Sequence, residues 1–101
     1  MSNLNPNINT AIPLYIGYGI APYPKEDISR LVSEFGSDVA QQLEAKVKQL
    51  LDELNQIKPD WNSHSLQSGA KWASEQLKRK YPELDPTSIA ALEWAFSWWW
   101  K

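Results

Sequence analysis

The sequence ends in a strongly aromatic segment, Ala91–Lys101 (ALEWAFSWWWK), in which four of eleven residues are tryptophan. Upstream, Asp85 and Pro86 have the pattern of a helix start, an N-cap followed by a proline in the first turn. We therefore predict a helix over 86–100. Successive helical residues are about 100° apart, so the consecutive tryptophans at 98–100 cover about 200° of its circumference. One flat core surface cannot accommodate all three.

On a helical wheel this last helix is apolar on two opposite sides. Trp94 and Trp98 lie on one side, with Ala91 between them, and a wider stripe lies on the other. The predicted core face comprises Ile89, Leu92, Phe96, Trp99 and Trp100. A helix that is apolar nearly all round is central or lies at an interface. We expect another segment of the chain to cover Trp94 and Trp98, with a partner protein or a membrane surface as alternatives.

The first 24 residues differ from the rest, because they contain no Asp, Glu, Lys, Arg or His but four of the seven prolines. Proline and glycine both disfavour helices, so no helix is predicted here. Asparagine-rich residues 1–11 are predicted to be a disordered tail. Residues 12–24 (IPLYIGYGIAPYP) are predicted to be an extended, Pro- and Tyr-rich arm that packs on a helical domain formed by 25–101 and covers Trp94 and Trp98.

Three further helices are predicted upstream of the aromatic one. The first covers 25–35, with charged residues in its first turn and Gly36 as its stop, and Ser37 then caps the next. That helix, 38–57, has apolar residues spaced by three and four. Its seam covers barely two heptads, which favours a core-facing helix over a coiled coil. The third covers 65–81 and ends before a proline. The predicted fold is an all-α bundle of about four helices.

Catalytic and metal-binding patterns are weak in this sequence. There is no cysteine and one histidine, His64, in the stretch Asp60–Ser65 (DWNSHS). Neighbouring residues of one short loop rarely form a catalytic triad, so we interpret its serines as helix caps. One histidine among scattered carboxylates has no metal-ligand spacing. We therefore predict a non-enzymatic protein without cofactor or metal.

Charge and hydropathy limit the partners. A net charge of −2 and a pI near 5.3 argue against nucleic acid. The basic cluster at 78–80 is interpreted as a complement to a helix dipole. No apolar run approaches the roughly 18 residues of a membrane span, and no secretory signal is recognisable. We predict a cytoplasmic protein, with contact at a membrane surface as a weak possibility.

The surplus of tryptophan and tyrosine favours a protein–protein interaction module, of accessory, adaptor or immunity type, that binds another protein or a second copy of itself. The candidate interaction surface comprises Tyr15, Tyr18, Trp72, Trp94, Trp98 and Trp99. The alternative is a small-molecule-binding protein or enzyme with an aromatic pocket. The walls of that pocket would be Trp61, Trp72, Trp94 and Trp98. A third interpretation is that the tryptophans fill an otherwise thin core.

Overall fold

The computed structural model describes residues 7–100, which form five helices and no strand. In chain order the helices are α1 (Ile8–Ile16), α2 (Ile28–Phe35), α3 (Ser37–Gln56), α4 (Leu66–Lys80) and α5 (Pro86–Trp99). The predicted all-α bundle is confirmed, with five helices instead of about four. The helix α3 packs against all four other helices, and α5 packs against α1, α3 and α4.

The first helix, α1, lies where no helix was predicted. The prediction of an extended arm is wrong for residues 12–16, and that of a disordered tail is wrong for 8–11; residues 1–6 lie outside the described part of the chain. The sequence did contain the signal, since the buried residues of α1 follow helical spacing. They are Ile8, Ala11, Ile12, Tyr15 and Ile16.

A proline inside α1 is tolerated because of a contact with α5. Pro13 has no N–H to donate to the carbonyl of Asn9, which lies one turn earlier, and an interior proline costs a helix about 3 kcal/mol. In this fold the hydroxyl of Ser88 donates to that carbonyl at 3.2 Å. Oδ1 of Asn9 lies 2.8 Å from the same hydroxyl and shares its single proton, so the tertiary contact partly replaces the helical hydrogen bond.

The side chain of Asn9 also holds the turn between α4 and α5. Its Nδ2 donates to the carbonyl of Glu83 at 2.9 Å, and its Oδ1 accepts from the backbone N–H of Asp85 at 2.9 Å. The same Oδ1 accepts from the Ser88 hydroxyl at 2.8 Å. One asparagine thus joins two segments that are far apart in sequence.

The connection between α1 and α2 is held in place by a glycine cap and an arginine. Gly17 ends α1 with φ 85°, ψ 23°, a left-handed cap for which glycine is favoured. Arg30 then fixes the end of α1, because its Nη1 donates to the carbonyls of Leu14 at 3.3 Å, Tyr15 at 3.3 Å and Lys25 at 3.0 Å. The segment between α1 and α2 is therefore held against the body of the protein.

The predicted break at Gly36 is confirmed, but the caps beside it differ from the prediction. Gly36 has φ 82° and ψ 162°, a region essentially restricted to glycine. It occupies the N-cap of α3, and Ser37 is the first helical residue, so the prediction of Ser37 as the cap was wrong. The start predicted at residue 25 was also early, because Asp27 caps α2 by accepting from the N–H of Ser29 at 2.9 Å.

The starts of α4 and α5 match the predicted signals. Ser65 caps α4 in a reciprocal capping box with Ser68, and Asp85 caps α5 by accepting from the N–H of Ser88. Pro86 occupies the first turn of α5, as predicted. The core-facing prediction for α3 is confirmed as well, since most of its apolar seam is buried. The buried residues of α3 are Ala40, Leu43, Val47, Leu50, Leu51 and Leu54.

Candidate functional site

The three consecutive tryptophans at the end of α5 face three different segments of the chain. Trp98 lies against Tyr23 of the α1–α2 connection, with ring centroids 6.2 Å apart. Trp100 lies against Trp61 of the α3–α4 connection at 5.7 Å. Trp99 faces α3 and lines a groove there. Each indole is therefore covered on one side by a different neighbour.

All three indoles also remain partly open to solvent. They are 37–40% exposed, and their neighbours Trp61 and Tyr23 are 40% and 48% exposed. The prediction that Trp99 and Trp100 belong to the core is wrong, because the buried face of α5 consists of smaller residues and one phenylalanine. That face comprises Ser88, Ala91, Leu92, Ala95 and Phe96. We call the surface formed by Tyr23, Trp61, Trp98, Trp99 and Trp100 the aromatic end.

Trp61 is seated in a notch that requires a glycine. Its ring stacks on Phe96 with centroids 6.4 Å apart and an interplanar angle of 24°. A Cβ added at Gly69 would lie 2.6 Å from Cζ3 of this indole, far inside van der Waals contact. The absence of a side chain at Gly69 thus lets Trp61 reach the end of α5.

The α1–α2 connection covers the other side of α5. Tyr18 lies against Trp94 with ring centroids 5.5 Å apart, and both side chains are half-buried. Trp94 lines a groove of about 280 Å³. The groove at Trp94 also contains Tyr18, Gln67 and Glu93. A separate groove of about 340 Å³ lies between α3 and α4.

Tyr15, predicted to be part of the interaction surface, is unavailable there. It is 2% exposed, and its hydroxyl donates to the Glu44 carboxylate at 2.9 Å. Burial, followed by this hydrogen bond, raises the pKa of Tyr15 far above its ordinary value. Tyr15 is therefore a core residue that links α1 to α3.

Trp72 has a different neighbour from the other predicted surface residues. It is exposed on α4, and its ring centroid lies 5.9 Å from that of His64. The prediction for the surface therefore includes one buried residue, Tyr15, one residue on α4, and four on or against α5. Three residues of the aromatic end were not in the predicted surface. Tyr23 was not named, Trp100 was assigned to the core, and Trp61 was assigned to the alternative pocket.

The four tryptophans of the alternative pocket have different described neighbours. Trp61 packs on Phe96 and Trp72 on the ring of His64. Trp94 and Trp98 lie against two different tyrosines of the α1–α2 connection. A groove of about 600 Å³ is lined instead by α1, α2 and the segment between them.

The loop around His64 is organised as a helix cap. Nδ1 of His64 lies 3.2 Å from the hydroxyl of Ser68, which also forms the capping box with Ser65. The Asp60 carboxylate accepts from the N–H of Asn62 at 3.0 Å and from the hydroxyl of Ser63 at 3.2 Å. The arrangement stabilises the start of α4. Among the described residues, no three His, Asp or Glu side chains are grouped as metal ligands.

The basic cluster at 78–80 is largely engaged within the fold. The ammonium of Lys78 donates to the carbonyls of Pro82, at 2.7 Å, and Leu84. The ammonium of Lys80 donates to the Glu53 carboxylate, which raises the pKa of Lys80. Burial opposes ionisation of Glu53, but its hydrogen bonds from Lys80 and Tyr81 lower its pKa overall. These cations hold α4 to its neighbours.

Comparison with known proteins adds no relative. No protein-family model matches the sequence, and no curated protein or solved structure matches it significantly. None of the helices within residues 7–100 is long and apolar enough to cross a membrane. Function is therefore proposed from the geometry of the site.

Proposed function

We propose that the protein is a small, non-enzymatic interaction module, of accessory, adaptor or immunity type, that binds another protein through the aromatic end. The observation that carries this proposal is the partial exposure, 37–48%, of five aromatic side chains clustered at one end of α5. Large exposed apolar patches on small proteins commonly mark binding surfaces. Tryptophan and tyrosine are also the residue types most enriched in interface hot spots.

The local packing of the aromatic end supports the same proposal. Trp98 lies against Tyr23, and Trp100 contacts Trp61 and the ammonium of Lys58, which is 5.3 Å from the Trp100 ring centroid. Rings already held by neighbours lose little conformational freedom when a partner covers them. A partner would therefore meet a preorganised surface.

The test replaces Trp98 by a benzophenone-bearing residue for photo-cross-linking in cells, with the same replacement at Trp72 as the matched control. Trp72 is exposed to a similar degree, 37% against 39%, but packs against His64 on α4. We expect a defined adduct from position 98 that is absent from position 72 and is lost when Trp100 is also changed to alanine. A doubled mass would identify a second copy as the partner.

Equal labelling from both positions would contradict the proposal, as would cross-links to lipid alone.

Cytoplasmic residence remains a prediction, which cell fractionation tests.

A second candidate function, small-molecule binding, is favoured by the groove of about 600 Å³ between α1 and α2. Its volume is within the usual range of ligand pockets, and its lining is mainly apolar with a few polar groups. Tyr18 and Arg30 lie in this lining. Titration of the protein with a metabolite library, followed by the amide signals of α1 and α2 in NMR spectra, tests this candidate.

A further inference from the structure

The groove at Trp99 differs in chemistry from the rest of the aromatic end. It has a volume of about 370 Å³ and lies between the segment just before α2, the last two turns of α3 and the end of α5. Its lining consists of Glu26, Leu51, Asp52, Asn55 and Trp99. Leu51 is buried, whereas the other four are exposed, so the groove presents one indole, two carboxylates and one amide to solvent. We call it the acidic groove.

The two carboxylates of the acidic groove have no ion-pair partner among residues 7–100. The salt bridges in that part of the chain are Glu44–Lys48 and Glu53–Lys80. Lys48, one helical turn before Asp52, is thus directed to Glu44, at 4.0 Å. The lining of the groove contains no basic side chain. Among residues 7–100, the negative charge of the groove is therefore not matched by an ion pair.

The indole of Trp99 adds a second source of attraction for a cation. An aromatic face attracts an ammonium or guanidinium group within about 6 Å of its centroid. The neighbouring tryptophan already takes part in this interaction, because Nζ of Lys58 lies 5.3 Å from the ring centroid of Trp100. At Trp99 no cation–π contact is formed by the described residues, and the indole is 40% exposed.

We propose that the acidic groove receives a lysine or arginine side chain of the partner protein, with its cationic group between the indole of Trp99 and the carboxylates of Glu26 and Asp52. The aliphatic part of that side chain would pack along Leu51. This inference rests on the proposed interaction function and specifies the chemistry of the partner, a basic side chain within an otherwise apolar contact. Charge complementarity selects this occupant over an acidic or purely apolar segment.

The first experiment uses side-chain analogues as probes. The basic probes are the methylamides of Nα-acetyl-lysine and Nα-acetyl-arginine, which keep their charged side chains. They are titrated into the full-length protein, with Nα-acetyl-norleucine methylamide as the neutral control and choline as a free cation. NMR signals of the Trp99 indole N–H and the Asn55 side-chain amide report occupancy. We expect saturable shifts with the lysine or arginine probe, at least about threefold weaker binding of norleucine, and weakening by added salt.

Variants then assign the site. Glu26→Gln combined with Asp52→Asn is expected to weaken binding of the basic probes about tenfold. The matched control, Glu34→Gln combined with Glu75→Gln, removes the same charge from exposed positions outside the lining and is expected to leave binding unchanged. All four residues are exposed, so both proteins keep the fold, which circular dichroism verifies.

Three results of the titrations would overturn the inference: equal shifts with norleucine, equal weakening by both double variants, or tighter binding of choline than of either amino-acid probe. The last would indicate a small quaternary ammonium ligand in place of a partner side chain. Cross-linking from position 98 separates this inference from the proposed function. An adduct that persists unchanged in the Glu26→Gln/Asp52→Asn protein would leave the interaction module standing and refute the role of the acidic groove.

Discussion

Replacement of Asn9 by alanine tests whether α1 is an integral part of the fold. The change removes three hydrogen bonds, to the Glu83 carbonyl, the Asp85 N–H and the Ser88 hydroxyl. Each contributes about 1 kcal/mol net, and alanine recovers about 0.5 kcal/mol through its higher helix propensity. We therefore expect the free energy of unfolding to fall by about 2–3 kcal/mol.

Urea denaturation followed by circular dichroism and tryptophan fluorescence measures this loss. For a domain of this size, 2–3 kcal/mol corresponds to a decrease in Tm of about 10–20 °C. Gln42→Ala is the matched control, because it removes a similar amide from an exposed position of α3. A cycle combining Asn9→Ala with Ser88→Ala should give a coupling free energy of at least about 0.5 kcal/mol.

The reasoning would be refuted if Asn9→Ala changed stability by no more than Gln42→Ala. That result would mean that residues 8–16 contribute little to the folded state, as expected of a passive tail. A loss in Asn9→Ala without any coupling to Ser88 would instead show that the interaction with α5 is assigned to the wrong partner.

Three further outcomes follow from single positions. Gly36→Ala should lower the free energy of unfolding by about 1–3 kcal/mol in urea melts, since φ 82°, ψ 162° is strained for alanine; a gain of about 1 kcal/mol would contradict this. Gly69→Ala should displace the Trp61 indole from Phe96, visible as altered ring-current shifts and emission, while stability changes by less than about 1 kcal/mol; an unchanged spectrum would contradict the notch. Stability should also fall as the pH rises above about 10, because unfolded tyrosine ionises there while Tyr15, whose pKa burial and its hydrogen bond raise, keeps its proton. In urea melts above pH 10, the free energy of unfolding of Tyr15→Phe should fall less steeply with pH than that of the unchanged protein. An identical fall in both proteins would contradict the role of Tyr15.

Local signals in the sequence were sufficient for most helix boundaries. Asp85 followed by Pro86, and Ser65 before α4, act through neighbouring backbone groups, so no tertiary information is needed to interpret them. The break at Gly36 belongs to the same class, because φ and ψ are local properties. Its neighbour Ser37 was misassigned as a cap because glycine itself took that position.

The helix α1 was missed because Pro13 was taken to exclude a helix. The carbonyl that Pro13 leaves without a helical donor receives the hydroxyl of Ser88, a residue that no local pattern connects to Asn9. The spacing of the five buried apolar residues was the stronger signal, and it depends on burial against the whole bundle. Composition alone gave proline and asparagine too much weight.

The candidate site was predictable in composition more than in placement. An aromatic surface at the end of α5 follows from the tryptophan run, but which indoles enter the core depends on the residues opposite them. The buried face combines the small side chains of Ala91 and Ala95 with Leu92 and Phe96, and the large indoles lie toward the end of the helix. Tyr23 and Trp61 come from connections whose course the sequence does not specify.

The pairing of α1 with α5 has a consequence for synthesis on the ribosome. The contact between Asn9 and Ser88 spans 79 residues, which take roughly 4–16 s to synthesise at about 5–20 residues per second. During that interval the apolar stripe of α1, including Ile8 and Ile12, has no final helix to cover it. On the ribosome α1 can pack on α2 and α3 before α5 is made, but its contact with α5 stays uncovered. We expect chaperones that bind apolar segments to act in this interval.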